Sequence, residues 1–262
     1  MAWPIVIGGP AQATYSKRGA QQVLAGFAFG TKSLGWPSRG SAPAISPLGP
    51  PPPIAHRGRW AYQAFDCALA SPQGLSIEDI TITAAVDSRL GSEAILGMMS
   101  IADVMTSVLA EIPVTQTFWD LTPSDVAAPP LSGTIAWHVW RAWELLMGLP
   151  GVNVAITHKT LHHKRPWLFP VLDEKTRKAM GGKVVWPVIH KDLTRYAFEF
   201  EELERWFATL ASHKGGVQLT RLRIHDILLW GCISRNGAGL PAAGRGVLGG
   251  GAQLVRAPAA SR

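Results

Sequence analysis

Apolar residues recur at three- and four-residue spacing through the middle of the chain, between residues 76 and 232. This period returns side chains to one face of an α-helix, and no segment sustains the two-residue alternation of a half-buried strand. The pattern therefore predicts an all-α fold. The predicted helices cover residues 76–86, 91–112, 133–147, 154–164, 174–180, 188–196, 198–213 and 217–232.

Two of these segments have especially strong apolar patterns. Residues 91–112 contain no proline before Pro113, which predicts one long helix that ends there. Residues 133–147 place Trp137, Trp140, Trp143 (or Glu144) and Met147 on one stripe, which favours a position in the core over a surface on which a ligand stacks.

The two ends of the chain have a different composition. Residues 1–57 are rich in glycine, proline, serine and alanine, and residues 234–262 consist largely of glycine, alanine, proline and arginine. Such segments bury too little apolar surface to offset the chain entropy that folding costs. We therefore expect disordered tails at 1–57 and 234–262, on either side of one helical domain at 58–233.

Charge is distributed unevenly along the 262 residues. The net charge of +7 comes from the ends, since residues 1–60 contain six cations, residues 233–262 contain four, and neither contains an acid. Residues 61–150 hold ten acids and two cations, whereas residues 151–232 hold 13 cations and eight acids. Either these two halves complement each other, or the basic half forms a surface that meets phosphates.

The histidines and cysteines do not predict a metal site or a cofactor. His158 and His162 are one helical turn apart, but Lys159 stands where a zinc-protease motif has glutamate. Cys67 and Cys232 lack metal-ligand spacing, which is typical of reduced thiols in a cytoplasmic protein. No membrane span or secretory signal is predicted, because the chain has no run of 18 apolar residues and no basic segment leading into an apolar one.

A tight turn, Leu149-Pro-Gly-Val-Asn153, separates the predicted helices 133–147 and 154–164. Two helices joined in this way predict a helix-hairpin-helix. The free N–H groups at the start of the second helix, together with its dipole, suit a phosphate. The candidate phosphate-binding residues are Gly151, Asn153 and Val154, with Lys159, Lys164 and Arg165 as neighbouring cations.

This segment resembles the core of the helix-hairpin-helix DNA glycosylases, which runs Leu-Pro-Gly-Val-Gly, a helix, a proline-containing loop and Val-Asp-Thr-His. Asp173 follows Gly151 by 22 residues and takes the position of the family's aspartate. The resemblance implies DNA as partner, bound through phosphates without sequence readout. If the protein is an enzyme, it implies a monofunctional N-glycosylase-like hydrolase with Asp173 as the catalytic residue.

The chain departs from the glycosylase pattern at several positions. Asn153 replaces the second glycine of the hairpin, and Glu174-Lys175 replaces Thr-His. Ala155 stands where bifunctional members carry a nucleophilic lysine, so the resemblance excludes lyase chemistry there.

A closer resemblance is to a family of unknown function found in actinobacteria, with the core Lys-x-Leu-x-x-Lys-Arg-Pro-x-Leu-x-Pro-x-x-Asp. Residues 159–173, Lys-Thr-Leu-His-His-Lys-Arg-Pro-Trp-Leu-Phe-Pro-Val-Leu-Asp, fit this core. The resemblance implies coverage of roughly residues 60–232 and a shared fold, but no reaction.

Each candidate residue also has a structural interpretation. Asp173 precedes Glu174-Lys175 as a helix N-cap would, and Arg165 is close enough in sequence to pair with it. The three cations are equally typical of a solvated helix face. The alternative to a DNA-binding protein is a non-catalytic helical domain that binds a protein partner through the acidic residues of 61–150 and of 199–204.

Overall fold

The computed structural model describes residues 3–9, 13–29, 65–68, 73–86, 90–182, 185–214 and 218–233. Within these residues the protein is mostly helical, which confirms the predicted class. The elements are β1 (Ile5–Ile7), β2 (Ala13–Tyr15), α1 (Lys17–Phe29), α2 (Ile77–Ala85), α3 (Ser92–Ser100), α4 (Ala102–Ala110), α5 (Pro123–Ala127), α6 (Ile135–Met147), α7 (Val154–Lys164), α8 (Glu174–Ala179), α9 (Trp186–Arg195), α10 (Ala197–Lys214) and α11 (Arg221–Ile233).

Local capping chemistry sets several helix starts. The Ser76 hydroxyl accepts a hydrogen bond from the backbone N–H of Asp79, and the Asp79 carboxylate accepts one from the N–H of Ser76. This capping box satisfies donors that the first turn of α2 leaves open. Thr122 and Asp125 form the same box before α5, a helix that the apolar pattern does not predict.

The predicted single helix over residues 91–112 is wrong. It is two helices, α3 and α4, which meet at Ile101 and are bent by 53°. Near the bend, the Ser100 hydroxyl donates to the carbonyl oxygen of Gly97 at 2.8 Å. Glycine and serine close together, with the serine bonding back to a helix carbonyl, are a known cause of helix bending.

Residues 3–29 differ from the expected disordered tail. β1 pairs antiparallel with β2, with Ile5 opposite Tyr15, and α1 packs on α10 and α11. The hydroxyl of Tyr15 donates to the carbonyl of Leu228 at 2.6 Å. The average composition of 1–57 conceals these apolar residues, because the proline-rich part dominates it. The remainder of that predicted tail, and all of 234–262, lie outside the described residues.

The interior is organised around two helices that are buried on every side. In α7, every residue from Ile156 to Lys164 is buried, and the helix packs on α2 and α6. In α11, the residues from Arg221 to Leu229 are buried, and the helix packs on α1, α8, α9 and α10. Both helices contain many polar residues, so their burial depends on the partners those residues find.

The tryptophan stripe of α6 belongs to the core. Trp140 is buried, and its ring lies 4.7 Å from that of Trp186 on α9. Trp143 is half-buried at 6.3 Å from the same ring. The prediction that this stripe packs inside the protein is confirmed for these positions.

Candidate functional site

The predicted phosphate-binding turn is stabilised by the chain itself. Gly151 has a φ of +74°, a value that favours glycine. A Cβ atom at this position would lie 3.4 Å from the Cβ of Ala94 on α3. The side-chain oxygen of Asn153 accepts hydrogen bonds from the N–H groups of Ala155 and Ile156, at 2.9 and 3.0 Å. Two of the donors that would hold a phosphate therefore already have a partner. No helix-hairpin-helix motif is identified in the described part of the chain.

The three predicted phosphate-contacting cations lie inside the protein. Lys159, Lys164 and Arg165 are each 5% exposed or less. Lys159 donates to the carbonyl of Val86, and Arg165 donates to the carbonyl of Leu109 at 3.1 Å. Their burial contradicts the solvated helix face, while phosphate binding by these residues stays a prediction. Lys159 and Arg165 satisfy carbonyls of neighbouring segments, whereas Lys164 pairs with a carboxylate.

Lys164 and His163 share one buried carboxylate, that of Asp79 at the start of α2. The Lys164 ammonium donates to one Asp79 oxygen, and Nδ1 of His163 lies 2.9 Å from the other. Burial alone would raise the pKa of Asp79, but the hydrogen bonds from His163 and Lys164 lower it to about 2. The carboxylate therefore stays charged and ties α7 to α2.

His158 and His162 hold the loop that follows α7. Nδ1 of His158 donates to the carbonyl of Pro170 at 2.9 Å, and Nδ1 of His162 donates to that of Phe169 at 2.6 Å. Burial lowers the pKa of His158 to about 4 and that of His162 to about 3, so both rings are neutral at pH 7. Among the described residues, no group of three or more histidine, cysteine or acidic side chains can hold a metal ion.

Asp173 is the N-cap of α8. Its carboxylate accepts a hydrogen bond from the N–H of Thr176 at 2.7 Å, and the Thr176 hydroxyl accepts one from the N–H of Asp173 at 3.0 Å. The capping interpretation is confirmed, while a catalytic role for Asp173 stays a prediction.

The charged residues at the start of α11 are also buried, although a sequence pattern of this kind usually indicates a surface. The Arg223 guanidinium binds Asp66 at 2.8 Å and also contacts Asp226. Burial raises the pKa of Asp226 to about 6. Arg221 lies 4.4 Å above the Trp119 ring. The sequence favours surface charge for these residues, and their burial depends on Asp66 and Trp119, which come from distant segments.

This chain belongs to DUF6308, a family of unknown function. The family model matches residues 54–232, close to the boundaries expected for the helical domain. No curated protein and no solved structure matches the chain. The DUF6308 match includes the motif at residues 159–173. These residues form the second half of α7 and the loop that follows it. The resemblance to DNA glycosylases is not tested by these comparisons.

One surface of this DUF6308 domain exposes apolar side chains, whereas α7 and α11 bury polar ones. Of the eight large apolar side chains that are strongly exposed among the described residues, five lie between residues 77 and 114. On α3 and α4 these are Leu96, Met99 and Val104, which are 65%, 51% and 48% exposed. Leu96 and Met99 are three residues apart and lie on one face of α3, away from its buried residues Ala94 and Met98, while Val104 is exposed on the following helix, α4.

The charged residues of the same surface are all acids. Glu93, Asp103 and Glu111 are exposed, and residues 90–112 contain no lysine or arginine. We name these three acids, together with Leu96, Met99 and Val104, the α3–α4 surface. No single helix in the described ranges is long and apolar enough to cross a membrane. The bent pair α3–α4 passes that test only jointly, by length and composition.

Proposed function

We propose that this DUF6308 protein is a helical interaction domain that binds a segment of a partner protein on the α3–α4 surface. The observation that supports the proposal is the exposure of Leu96, Met99 and Val104 on two consecutive helices. Neighbouring exposed apolar residues bordered by polar ones are typical of protein interaction sites. This is the alternative that the sequence left beside DNA binding.

The surrounding charge defines the chemistry of the partner. Glu93, Asp103 and Glu111 lie among the apolar residues without a cation in 90–112. A partner segment that is apolar on one side and bears lysine or arginine beside it complements both features. An amphipathic helix laid along the bent pair is the recognition mode that fits two helices with an exposed apolar side.

DNA binding of the glycosylase type stays a prediction. The geometry lends it less support than the sequence does, because Asn153 occupies two of the hairpin donors and Lys159, Lys164 and Arg165 bond inside the protein.

The test is affinity capture by the full chain, with chemical crosslinking and mass spectrometry of the bound proteins. The L96E/M99E variant is compared with L131E, which places a glutamate at an 87% exposed leucine outside the surface. We expect partners to be lost in L96E/M99E and retained in L131E. Their crosslinks should join α3 or α4 to a basic, amphipathic segment.

Equal capture by both variants would contradict the proposal, as would crosslinks that consistently lie away from α3 and α4. Charge reversal gives an independent check: E93K/D103K should weaken binding of the same partner, and higher salt should weaken binding to the wild type.

A further inference from the structure

The α3–α4 surface carries acids that the described part of the protein does not neutralise. Glu93, Asp103 and Glu111 are exposed, and none of them forms an ion pair with a described residue. Glu93 lies about one helical turn before Leu96, and Glu111 lies two turns after Val104. Each helix therefore places an acid on the same face as an exposed apolar side chain. A segment that binds here must bring apolar groups and positive charge together.

The chain itself contains a segment with this chemistry. Residues 234–262 include four arginines and no acid. Two of these arginines lie beside apolar residues, in Arg245-Gly-Val-Leu248 and in Leu254-Val-Arg256. Opposite charges on two surfaces steer their association and fix their register, so this segment complements the α3–α4 surface in both charge and apolar content.

The segment is also long enough to reach this surface. It follows Ile233, the last residue of α11, and its 29 residues can span up to about 95 Å when extended. A compact domain of the size that the family model matches is roughly 40 Å across. Attachment to the same chain gives such a segment an effective concentration on the order of millimolar, so that weak contacts suffice.

A second copy of the protein is a poorer occupant of the same surface. Two α3–α4 surfaces that faced each other would place the acids of both copies together, and residues 90–112 of neither copy contain a lysine or arginine. Like charges in opposed positions disfavour association. The charge pattern therefore favours a basic segment over self-association.

The composition of residues 234–262 suits an occupant that can be displaced. The segment contains seven glycines, and glycine loses more conformational entropy on ordering than any other residue. Its net contribution to binding is therefore smaller than that of an amphipathic helix with similar apolar and basic content. A partner helix of the kind proposed above can displace it.

We infer that residues 234–262 occupy the α3–α4 surface of the same molecule and compete with the partner segment for it. This inference rests on the proposed function, because the surface is the one assigned there to a partner. Arg245 and Arg256 meet the carboxylates, and the apolar residues beside them cover Leu96 and Met99. Access to the surface is regulated by the chain's own basic segment.

Carbodiimide crosslinking of the full chain tests the intramolecular contact. The R245K/R256K variant keeps both charges, and each introduced lysine can form an amide bond with a carboxylate that it touches. In the monomer fraction, we expect mass spectrometry to find these lysines joined to the three acids of the α3–α4 surface. Asp120 and Glu144 are exposed acids outside that surface and should be joined less often.

Competition is measured with a defined probe, a peptide that places leucine and lysine on opposite sides of an amphipathic helix. The R245E/R256E variant is compared with R18E/R205E, which changes the net charge equally at exposed positions on α1 and α10. By fluorescence anisotropy, R245E/R256E should bind the peptide about fivefold more tightly than R18E/R205E. This is the effect expected when two exposed ion pairs are removed from the competing segment.

Three results would overturn the inference. The first is an absence of bonds between the introduced lysines and the α3–α4 acids, or bonds from Lys32 in their place. The second is crosslinking that is confined to a dimer fraction, and the third is equal peptide affinity of R245E/R256E and R18E/R205E.

These failures leave the proposed function standing. The proposed function fails separately, through equal capture of partners by L96E/M99E and L131E. In that case the crosslinks alone still decide whether residues 234–262 lie on the α3–α4 surface.

Discussion

Helix α7 and the pair α3–α4 reverse the usual relation between hydrophobicity and burial. The α7 sequence, Val-Ala-Ile-Thr-His-Lys-Thr-Leu-His-His-Lys, is mostly polar, yet the helix is enclosed from Ile156 onward. The α3 and α4 sequences are mostly apolar, yet Leu96, Met99 and Val104 are 48% to 65% exposed. Burial in this protein therefore depends on where partners for polar groups lie, and hydropathy alone does not predict it.

The partners explain how α7 tolerates the interior. Thr160 bonds to Thr83, Lys159 to a carbonyl, Lys164 to Asp79, and two histidines to carbonyls of the following loop. A satisfied network rigidifies a core, whereas one with a member removed leaves a costly unpaired group. The α3–α4 surface has no comparable requirement, because its outward side chains meet solvent.

The largest expected effect comes from removing the carboxylate that Lys164 and His163 share. Asp79→Ala leaves the Lys164 charge buried without its carboxylate partner. We expect the free energy of unfolding to fall by about 3–5 kcal/mol, measured by urea denaturation. Asp103→Ala, the loss of an exposed acid on α4, should change it by less than about 0.5 kcal/mol.

A double variant sharpens this prediction. The double variant Asp79→Asn/Lys164→Met removes both charges. Its loss of unfolding free energy should therefore be smaller than the sum of the losses in Asp79→Asn and in Lys164→Met. Additive costs would show that the two residues do not form a coupled pair.

Two adjacent methionines on α3 provide the next comparison. Met98 is fully buried and Met99 is 51% exposed. Met98→Ala should lower the free energy of unfolding by about 2–5 kcal/mol, because it leaves a cavity in the core. Met99→Ala should stay within about 0.5 kcal/mol. A large cost at Met99 would mean that this side of α3 is covered, and would argue against an open α3–α4 surface.

Acid should destabilise the protein through the neutral histidines of α7. The pKa is about 4 for His158 and about 3 for His162, below the ordinary value of 6.5. As pH falls below 6.5, the unfolded chain takes up protons that the folded protein does not, so stability falls. Each histidine contributes a slope of up to about 1.4 kcal/mol per pH unit down to its folded pKa.

Urea denaturation at a series of pH values between 7.5 and 4.5 measures this slope. His162→Gln keeps a side-chain N–H donor but does not titrate in this range. The slope of its unfolding free energy against pH should therefore be shallower by the contribution of one histidine. An equal slope in His162→Gln and in the wild type would show that the His162 ring is not held neutral.

The smallest effect concerns the turn that was predicted to bind DNA. Asn153→Ala removes the cap of α7 and should cost about 1 kcal/mol, whereas Asn153→Gly should cost only a few tenths of that. Both variants expose the N–H groups of Ala155 and Ile156. If the turn binds phosphate in competition with its cap, Asn153→Gly should strengthen salt-sensitive DNA binding measured by fluorescence anisotropy.

Unchanged DNA binding in Asn153→Gly would remove the hairpin from any nucleic-acid interface. For this measurement the full chain is needed, because truncation at residue 58 also deletes β1, β2 and α1, which pack on α10 and α11. The basic segments at both ends are present in both proteins compared, so they do not affect the difference.

The tight turn before it and Arg165-Pro166 after it predicted α7 residue for residue, and the Ser76 cap predicted the start of α2. The apolar spacing did not predict the bend at Ile101, because this spacing continues through the bend. It also missed β1, β2 and α1, since composition was averaged over a longer proline-rich segment. The expected cytoplasmic location stays a prediction.

The candidate sites were less predictable than the helices. The Leu-Pro-Gly-Val turn and the Asp173 cap follow from local residues, and both are present. The roles of Lys159, Lys164 and Arg165 depend on Val86, Asp79 and Leu109, which are 56 to 85 residues away in sequence. No local pattern indicates that such a cation finds a buried partner.

The sequence by itself determined the helical class, the turns, the caps and the membership signal in residues 159–173, because these depend on neighbours within a few positions. Only the tertiary structure decided that the polar helix α7 lies inside and that part of the apolar pair α3–α4 faces out. These are properties of contacts between distant segments. Whether burying a charge is stabilising or prohibitive depends on whether those contacts supply its hydrogen bonds.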